Sequence, residues 1–177
     1  MTAIIEFIFK WLDPIGIVIG IILAFPVFWT WWDVVFGRKR RRKKWFRNMI
    51  NNEGINPSIL IVNLLETKKD IKTQIAGYFK DNEIMMKALE QRCFTVERKQ
   101  SLKTSDMPAL IEDLRDCEGD IIEAGTDQLH VFYAGPVAPA LSIGALLSNH
   151  FDTQIYQRSR ETGNYENWGP LEHRLIS

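Results

Sequence analysis

Residues 130–144 read HVFYAGPVAPALSIG, and this stretch decides the fold class. The apolar and β-branched residues at 129–134 predict a strand that is buried on both faces. Gly135 ends this strand, and an apolar helix is predicted at 137–149. A strand that turns directly into a helix is the repeating unit of α/β folds.

The same alternation continues on both sides of this stretch. Further strands are predicted at 59–62, 93–98 and 153–157. Helices are predicted at 71–79, 83–91 and 107–117, the last with Ser105 or Asp106 as its N-cap. The pattern predicts one Rossmann-like domain over residues 58–177, in which helices cover a parallel sheet.

The N-terminal part is different in character. Residues 14–36 form an apolar run of 23 residues in which Asp33 is the one charge. About 20 apolar residues cross a hydrocarbon core of roughly 30 Å. A cleaved signal peptide is disfavoured, because the run is too long, no basic region precedes it and no small-residue cleavage site follows. We therefore expect one transmembrane helix at 14–36 within an N-terminal segment 1–37.

Two details of this segment bear on its role. Residues 3–12 are too few to span a membrane and are expected to lie at the outer interface. Gly16 and Gly20 form a GxxxG pattern, which permits close approach of two membrane helices, and Pro26 should bend the span.

The charge distribution predicts how this segment is oriented. Residues 1–37 carry a net charge of −2, residues 38–47 carry +8, and residues 48–177 carry −6. Positive charge beside a span stays in the cytoplasm, so the C-terminal domain is expected there. Residues 38–57 are predicted to be a basic juxtamembrane linker in contact with anionic lipid. A nucleic-acid patch is the alternative for the basic run, but the acidic domain argues against a nucleic-acid polymer as partner.

Neither catalysis nor metal binding is indicated. Cys93 and Cys117 lie 24 positions apart, without a zinc-binding spacing, and predict free thiols. The three histidines form no metal-binding motif. Ser142 is not in a nucleophile elbow, and no carboxylate pair flanks a predicted cleft. We expect no enzyme activity, no metal and no cofactor.

The candidate binding site follows from the predicted sheet. Ligands of parallel α/β sheets bind where strands end and helices begin, which here means the turns at 63–67 and 135–139. The helix start after Gly135 offers backbone N–H groups to a phosphate, although an ordinary βα turn is the alternative. Asn63 and Thr67 are either ligand contacts or helix caps. Arg98 is a candidate phosphate contact, and the aromatic residues at 156, 165 and 168 are candidates for stacking on a base.

The segment 130–144 resembles the signature of SAVED domains, in which a strand ends in a Pro-containing turn and enters a helix that carries a glycine. The strand at 154–157 and the aromatic residues Tyr165 and Trp168 are similar to the end of that family. SAVED domains are related to CARF domains and are Rossmann-like sensors of cyclic di- or oligonucleotides in bacterial anti-phage defence. A full SAVED domain contains two CARF-like halves, whereas residues 58–177 suffice for one.

The resemblance implies a cyclic di- or oligonucleotide as ligand, and a site that two chains form together. It places ligand contacts at 135–139 and at Asn63 and Leu64. With the candidates above, the predicted ligand-binding residues are Asn63, Leu64, Thr67, Arg98, Gly135, Pro136, Val137, Ala138, Ser142, Tyr156, Tyr165 and Trp168.

Together these features predict a single-pass effector in the bacterial inner membrane. Its cytoplasmic domain would bind a cyclic nucleotide, and binding would control oligomerisation of the membrane helices, as a homodimer or larger assembly, and membrane disruption. Two alternatives are a membrane-tethered adaptor that binds a protein partner and an enzyme that degrades the nucleotide.

Overall fold

The computed structural model describes residues 22–32, 38–52, 54–65, 70–98 and 100–171, together with Ile19. The chain divides into two compact units, Met1–Trp45 and Phe46–Ser177. The second unit contains the whole predicted α/β domain.

In the first unit, residues 22–32 are helical. The large apolar side chains of this run are 45–69% exposed. Of the helices that the structure describes, none has both the length and the hydropathy that a membrane crossing requires. The predicted span 14–36 extends beyond the described residues at both ends, and residues 3–12, Gly16 and Gly20 lie outside them.

Helix α1 (Arg38–Asn51) occupies most of the segment that was predicted to be a linker. The boundary between the two units falls within it. After α1, the Asp127 carboxylate accepts hydrogen bonds from the backbone N–H groups of Ile55 and Asn56 at 2.6 and 2.9 Å. The Asn56 side chain donates in turn to the carbonyl oxygen of Gly125 at 2.5 Å. These bonds fix the chain where it enters the sheet.

The second unit is built on one five-stranded sheet. Its strands are β1 (Pro57–Asn63), β2 (Cys93–Glu97), β3 (Gln128–Ala134), β4 (Asp152–Arg158) and β5 (Tyr165–Pro170), in the spatial order β2-β1-β3-β4-β5. The first four strands are parallel, and β5 runs antiparallel to β4. The predicted α/β class is confirmed, and the predicted parallel arrangement holds for β1 to β4 but not for β5.

The helices cover both faces of this sheet. They are α2 (Ile71–Tyr78), α3 (Glu83–Gln91), α4 (Met107–Glu123) and α5 (Val137–Leu147), with a 3-10 turn at Thr104–Asp106 before α4. Leu60 and Val62 of β1 pack in a cluster with α4 and α5, whereas Ile59 and Ile61 pack in a second cluster with α2 and α3. The apolar run of β1 is therefore continuous because the strand is buried on both faces, as the sequence predicted.

Two sequence predictions need correction. Residues 165–170 were treated as an aromatic tail, but they form β5, and their Asn, Gly and Pro content hid the strand pattern. Asp106 lies at the N-cap position of α4 without capping it. Its carboxylate instead accepts a hydrogen bond from the Lys103 backbone N–H at 2.8 Å, because the 3-10 turn precedes the helix.

Candidate ligand-binding site

The strand order creates a crevice between the carboxyl ends of β1 and β3. The chain leaves β1 toward α2 and α3 on one face of the sheet, and it leaves β3 toward α5 on the opposite face. Asn63 and Ala134, the last residues of the two strands, are paired in register. The starts of the two turns chosen from the sequence therefore lie side by side at a topological switch point, where α/β sheets bind ligands.

A cavity of about 990 Å³ opens at this point. It extends from Asn63 and Gly135 along α5, where Val137, Leu141 and Gly144 line it, to the sheet at Ile155. Its volume lies at the upper end of the range of small-molecule sites. Most of the lining is apolar.

The charged groups that line this cavity are two arginines, Arg158 and Arg160, and no Asp or Glu is found among its described lining residues. Both arginines are exposed and belong to the β4–β5 hairpin. The Arg158 Nε donates to the Gly163 carbonyl oxygen at 2.8 Å, which holds the guanidinium beside the hairpin backbone. The cavity therefore favours an anionic ligand.

The β3–α5 turn is rigidly packed. The Tyr133 hydroxyl donates to the Pro136 carbonyl oxygen, and the Leu64 N–H donates to the Ala134 carbonyl oxygen at 2.7 Å. Burial raises the pKa of Tyr133 to about 12, so its donor proton is retained at neutral pH. A β-carbon on Gly135 would lie 2.9 Å from the Leu64 Cβ, which explains a glycine at this position.

The start of α5 is not capped by a side chain. Pro136 occupies the N-cap position with extended backbone angles, and its side chain has no hydrogen-bonding group. The first backbone N–H groups of a helix have no partner within the helix. At the start of α5 these are the N–H groups of Val137 and Ala138, since Pro136 and Pro139 have none, and they are donors available to an anion. Gly135 and Val137 line the cavity at this helix start.

Other residues predicted in these two turns have different positions. The Asn63 side-chain oxygen accepts a hydrogen bond from the Leu65 N–H at 3.3 Å, and Asn63 also lines the cavity. The Leu64 side chain is 3% exposed and belongs to the core rather than to the cavity. Thr67 lies outside the described residues. Asp70 caps α2, so Asn63 is not its cap.

Arg98 is not a cavity residue. Its backbone N–H donates to the Asn63 carbonyl oxygen at 2.9 Å, which places its backbone at the predicted edge. Its guanidinium, however, is paired with the carboxylate of Asp113. This long-range pair was not visible in the sequence, and it directs the charge away from the cavity lining.

The aromatic candidates are largely part of the core. Tyr156 and Tyr165 are each 4% exposed. The Tyr156 ring is stacked on Phe132 with a centroid distance of 4.4 Å, and the Tyr165 ring meets Phe132 edge-on at 5.0 Å. Both tyrosines form part of the cavity wall, but one face of the Tyr156 ring is already occupied. Trp168 is 61% exposed and does not line the cavity.

Three of the α5 candidates lie near the cavity but do not line it. These are Pro136, Ala138 and Ser142. Sequence reasoning missed Arg158 and Arg160 because it did not recognise the β4–β5 hairpin. The available signal was a pair of arginines directly ahead of the turn residues Thr162, Gly163 and Asn164.

Comparison with known families decides what kind of domain this is. The profile of the SAVED family, described as the SMODS-associated and fused to various effectors sensor domain, matches residues 68–168. The match covers more than half of the chain and includes β3, α5 and β4, which line the cavity, but it does not include β1. The chain belongs to the SAVED family.

Two solved structures of a SAVED protein have a similar fold. Both are of the Acinetobacter baumannii Cap4 SAVED/CARF-domain containing receptor, one with the cyclic trinucleotide 2'3'3'-cAAA and the other with 3'3'3'-cAAA. Each aligns with a TM-score of 0.50, at 19% and 20% sequence identity, over 66% and 67% of this chain. This SAVED chain covers 25% of the receptor chain, or about a quarter of its length. A comparison with curated proteins finds no significant match.

The described residues also bear on metal binding. No group of three or more His, Cys, Asp or Glu side chains among them is placed to hold a metal ion. Burial raises the pKa of both cysteine thiols, that of Cys117 to about 11 with a further contribution from Asp120. Both thiols are therefore protonated at neutral pH.

Proposed function

We propose that this SAVED chain binds a cyclic di- or oligonucleotide in a bacterial anti-phage defence system, through the cavity at the β1–β3 switch point. The observation that carries the proposal is the charge of that cavity, which has two arginines and no acidic residue among its described lining. The family assignment supports a sensor role. The Cap4 receptor, which shares the fold, holds cyclic trinucleotides in its structures.

Both the phosphates and the bases of a cyclic oligonucleotide match features of the cavity. Each phosphodiester of a cyclic oligonucleotide carries one negative charge, and guanidinium groups bind phosphate oxygens in a bidentate geometry. The uncapped start of α5 adds the backbone N–H groups of Val137 and Ala138 as donors for a second phosphate. The apolar wall along α5 leaves room for the bases.

Isothermal titration of the full-length chain in detergent tests this binding. The probes are 3'3'3'-cAAA, a cyclic dinucleotide and a cyclic tetranucleotide. We expect Arg160→Gln to weaken binding of the active probe roughly tenfold or more, because a charge-assisted hydrogen bond contributes about 1.5–3 kcal/mol.

Arg98→Gln is the matched control. It removes the same charge from an arginine that is paired with Asp113 and does not line the cavity. We expect its affinity to equal that of the wild type. The absence of heat with all three probes, or an equal loss of affinity in both variants, would refute the proposed site.

The second part of the proposal concerns the N-terminal segment. It anchors the chain in the bacterial inner membrane with the SAVED domain in the cytoplasm. Support comes from the apolar run at 14–36, from the exposed large apolar side chains in the helical residues 22–32, and from the basic residues that begin α1. Anionic lipid is then the partner of the basic residues. The chain should remain in the membrane pellet after an alkaline carbonate wash, and its release into the supernatant would contradict the anchor.

The proposed output is a change in the membrane, because the sensor domain is joined to a membrane helix. Ligand binding changes the oligomeric state of the chain, and this changes the packing of the helices and the integrity of the membrane. Coupling requires only that the ligand binds one assembly more tightly than another, so the ligand either triggers or restrains the effector. Chemical cross-linking with and without the active probe reports the assembly, and an unchanged distribution of oligomers would refute the coupling.

The proposal includes binding without turnover. Incubation of the chain with labelled ligand, followed by chromatography, should return the ligand intact. A cleaved product would instead make the same cavity an active site.

A further inference from the structure

The end of α1, residues 46–52, is held on the sheet by a small number of polar contacts. The Gln154 side-chain amide donates to the carbonyl oxygens of Met49 and Asn52 at 2.5 and 2.8 Å. The last carbonyl groups of a helix have no partner within the helix, so Gln154 serves as their cap. Gln154 is 1% exposed and lies on β4, more than 100 positions away in sequence.

One apolar contact accompanies this cap. The Phe46 ring lies against Gly169 of β5, where a β-carbon would be 2.3 Å from the Phe46 Cζ. Gly169 has a φ of +100°, so its backbone conformation also favours glycine. Phe46 itself is 41% exposed, and it is not part of either hydrophobic cluster.

A chain of hydrogen bonds connects this cap to the wall of the ligand cavity. The Asn167 side-chain amide donates to the Gln154 side-chain oxygen and, at 3.3 Å, to the Tyr156 hydroxyl. The Tyr156 hydroxyl is also 2.9 Å from the His130 Nδ1. Tyr156 lines both the ligand cavity and a second cavity of about 320 Å³ beside the end of α1.

The surroundings of this chain are polar. The second cavity is lined by Asn52, Asn82, His130 and Asn167, among others. Polar groups that leave one another on opening regain hydrogen bonds to water, so separating them costs less than separating apolar surfaces of the same area. The contacts that hold residues 46–52 are therefore suited to reversible release.

We infer that residues 46–52 form a releasable latch, with Gln154 as its positioning residue and Tyr156 as its connection to the ligand cavity. The latch adds a path from the ligand cavity to α1, and it rests on the proposed function for the identity of the ligand. Displacement of the Tyr156 ring by a ligand disturbs Asn167 and Gln154 and frees the end of α1. Since α1 begins with the basic residues that follow the apolar segment, its release is a route from sensor to output.

Hydrogen–deuterium exchange of the full-length chain in detergent, without nucleotide, tests the latch separately from ligand binding. We expect Gln154→Leu to raise the exchange rate of amides 46–52 roughly tenfold, because two capping hydrogen bonds are lost. Peptides from β1 and β3 should keep their protection, which shows that the domain remains folded. Phe46→Ala provides a second variant outside the core, and it should raise exchange in the same peptide.

Gln128→Leu is the matched control. Gln128 is also a buried glutamine on a central strand, at 2% exposure, but its side-chain amide has no hydrogen-bond partner among the described residues. We expect its exchange at 46–52 to match the wild type. Equal effects of Gln128→Leu and Gln154→Leu, or rates within twofold of the wild type for both Gln154→Leu and Phe46→Ala, would overturn the latch.

Tyr156→Phe tests the connection to the cavity. The variant keeps the ring but removes the hydroxyl that links Asn167 and His130. We expect exchange at 46–52 to lie between the rates of the wild type and Gln154→Leu. A rate equal to that of the wild type would remove Tyr156 from the latch.

Discussion

Replacing Gly135 with alanine tests the packing of the β1–β3 switch point. An added β-carbon would lie 2.7 Å from the Tyr133 hydroxyl oxygen and 2.9 Å from the Leu64 Cβ. Neither neighbour moves freely, because the Tyr133 hydroxyl is bonded to Pro136 and the Leu64 Cβ is attached directly to the backbone. The substitution therefore forces two strand ends apart.

The expected cost follows from this overlap. Forcing a methyl group into a packed site typically costs about 1–3 kcal/mol. At about 2–4 °C per kcal/mol for a chain of this size, a cost of about 2 kcal/mol lowers the melting temperature by about 4–8 °C. Thermal unfolding of the full-length chain, followed by circular dichroism, measures the change.

Gly119→Ala is the matched control for this substitution. Gly119 lies within α4, and a β-carbon there meets no atom of the described residues within 4 Å. An alanine in a helix is more favourable than a glycine by about 1 kcal/mol, so this variant should be slightly more stable than the wild type. If Gly135→Ala melts within 1 °C of the wild type, or if both variants lose the same stability, the packing argument is refuted.

Three further predictions concern the rest of the domain. Gln128→Leu should stabilise the fold by about 1–2 kcal/mol in urea unfolding, because it removes a buried amide whose two polar atoms lack partners in the part of the chain that the structure describes. A loss of stability would contradict this. Asp127→Ala should cost about 1–3 kcal/mol in the same assay, because the N–H groups of Ile55 and Asn56 lose their acceptor, and an unchanged midpoint would show that this clamp is dispensable. Cys117, with its pKa raised to about 11 by burial, should react with iodoacetamide at pH 8 about tenfold more slowly than a thiol with an ordinary pKa near 9, because its smaller thiolate fraction is partly offset by a more nucleophilic thiolate. Equal rates would contradict the burial.

The same thiol predicts that the stability of the fold decreases at alkaline pH. The pKa of Cys117 is higher in the folded chain than its ordinary value of 9.0, so the folded state holds this proton more tightly. The thiol therefore contributes stability below about pH 9, and this contribution is lost as the pH rises toward 11. Comparison of the wild type with Cys117→Ala over this range isolates it, and parallel pH profiles would contradict the sign.

Much of the fold was determined by local pattern. The run Ile59–Leu60–Ile61–Val62 predicted a strand buried on both faces, and the periodicity of α4 predicted one covering helix. Strand β5 was missed because an edge strand is stabilised by pairing with its neighbour, here β4, rather than by its own apolar pattern. The helix in residues 38–51 was missed because its basic start was read as a linker.

The position of the candidate site was also determined by the sequence, since parallel strands end at one edge of a sheet. Asn63 and Gly135 could be chosen on that ground alone, and both line the cavity. The arginines that line the cavity could not be identified in this way. Arg98 is paired with Asp113, and Arg160 reaches the cavity only because the β4–β5 hairpin brings it there.

The sequence by itself thus determined the class of the fold, the SAVED resemblance and the edge of the sheet where the cavity opens, because these depend on local periodicity and on a short motif. The tertiary structure alone decided which arginines line the cavity, that Tyr156 and Tyr165 pack in the core, and that Gln154 caps α1. Each of these depends on contacts between residues distant in sequence, and such contacts are set by the packing of the whole sheet.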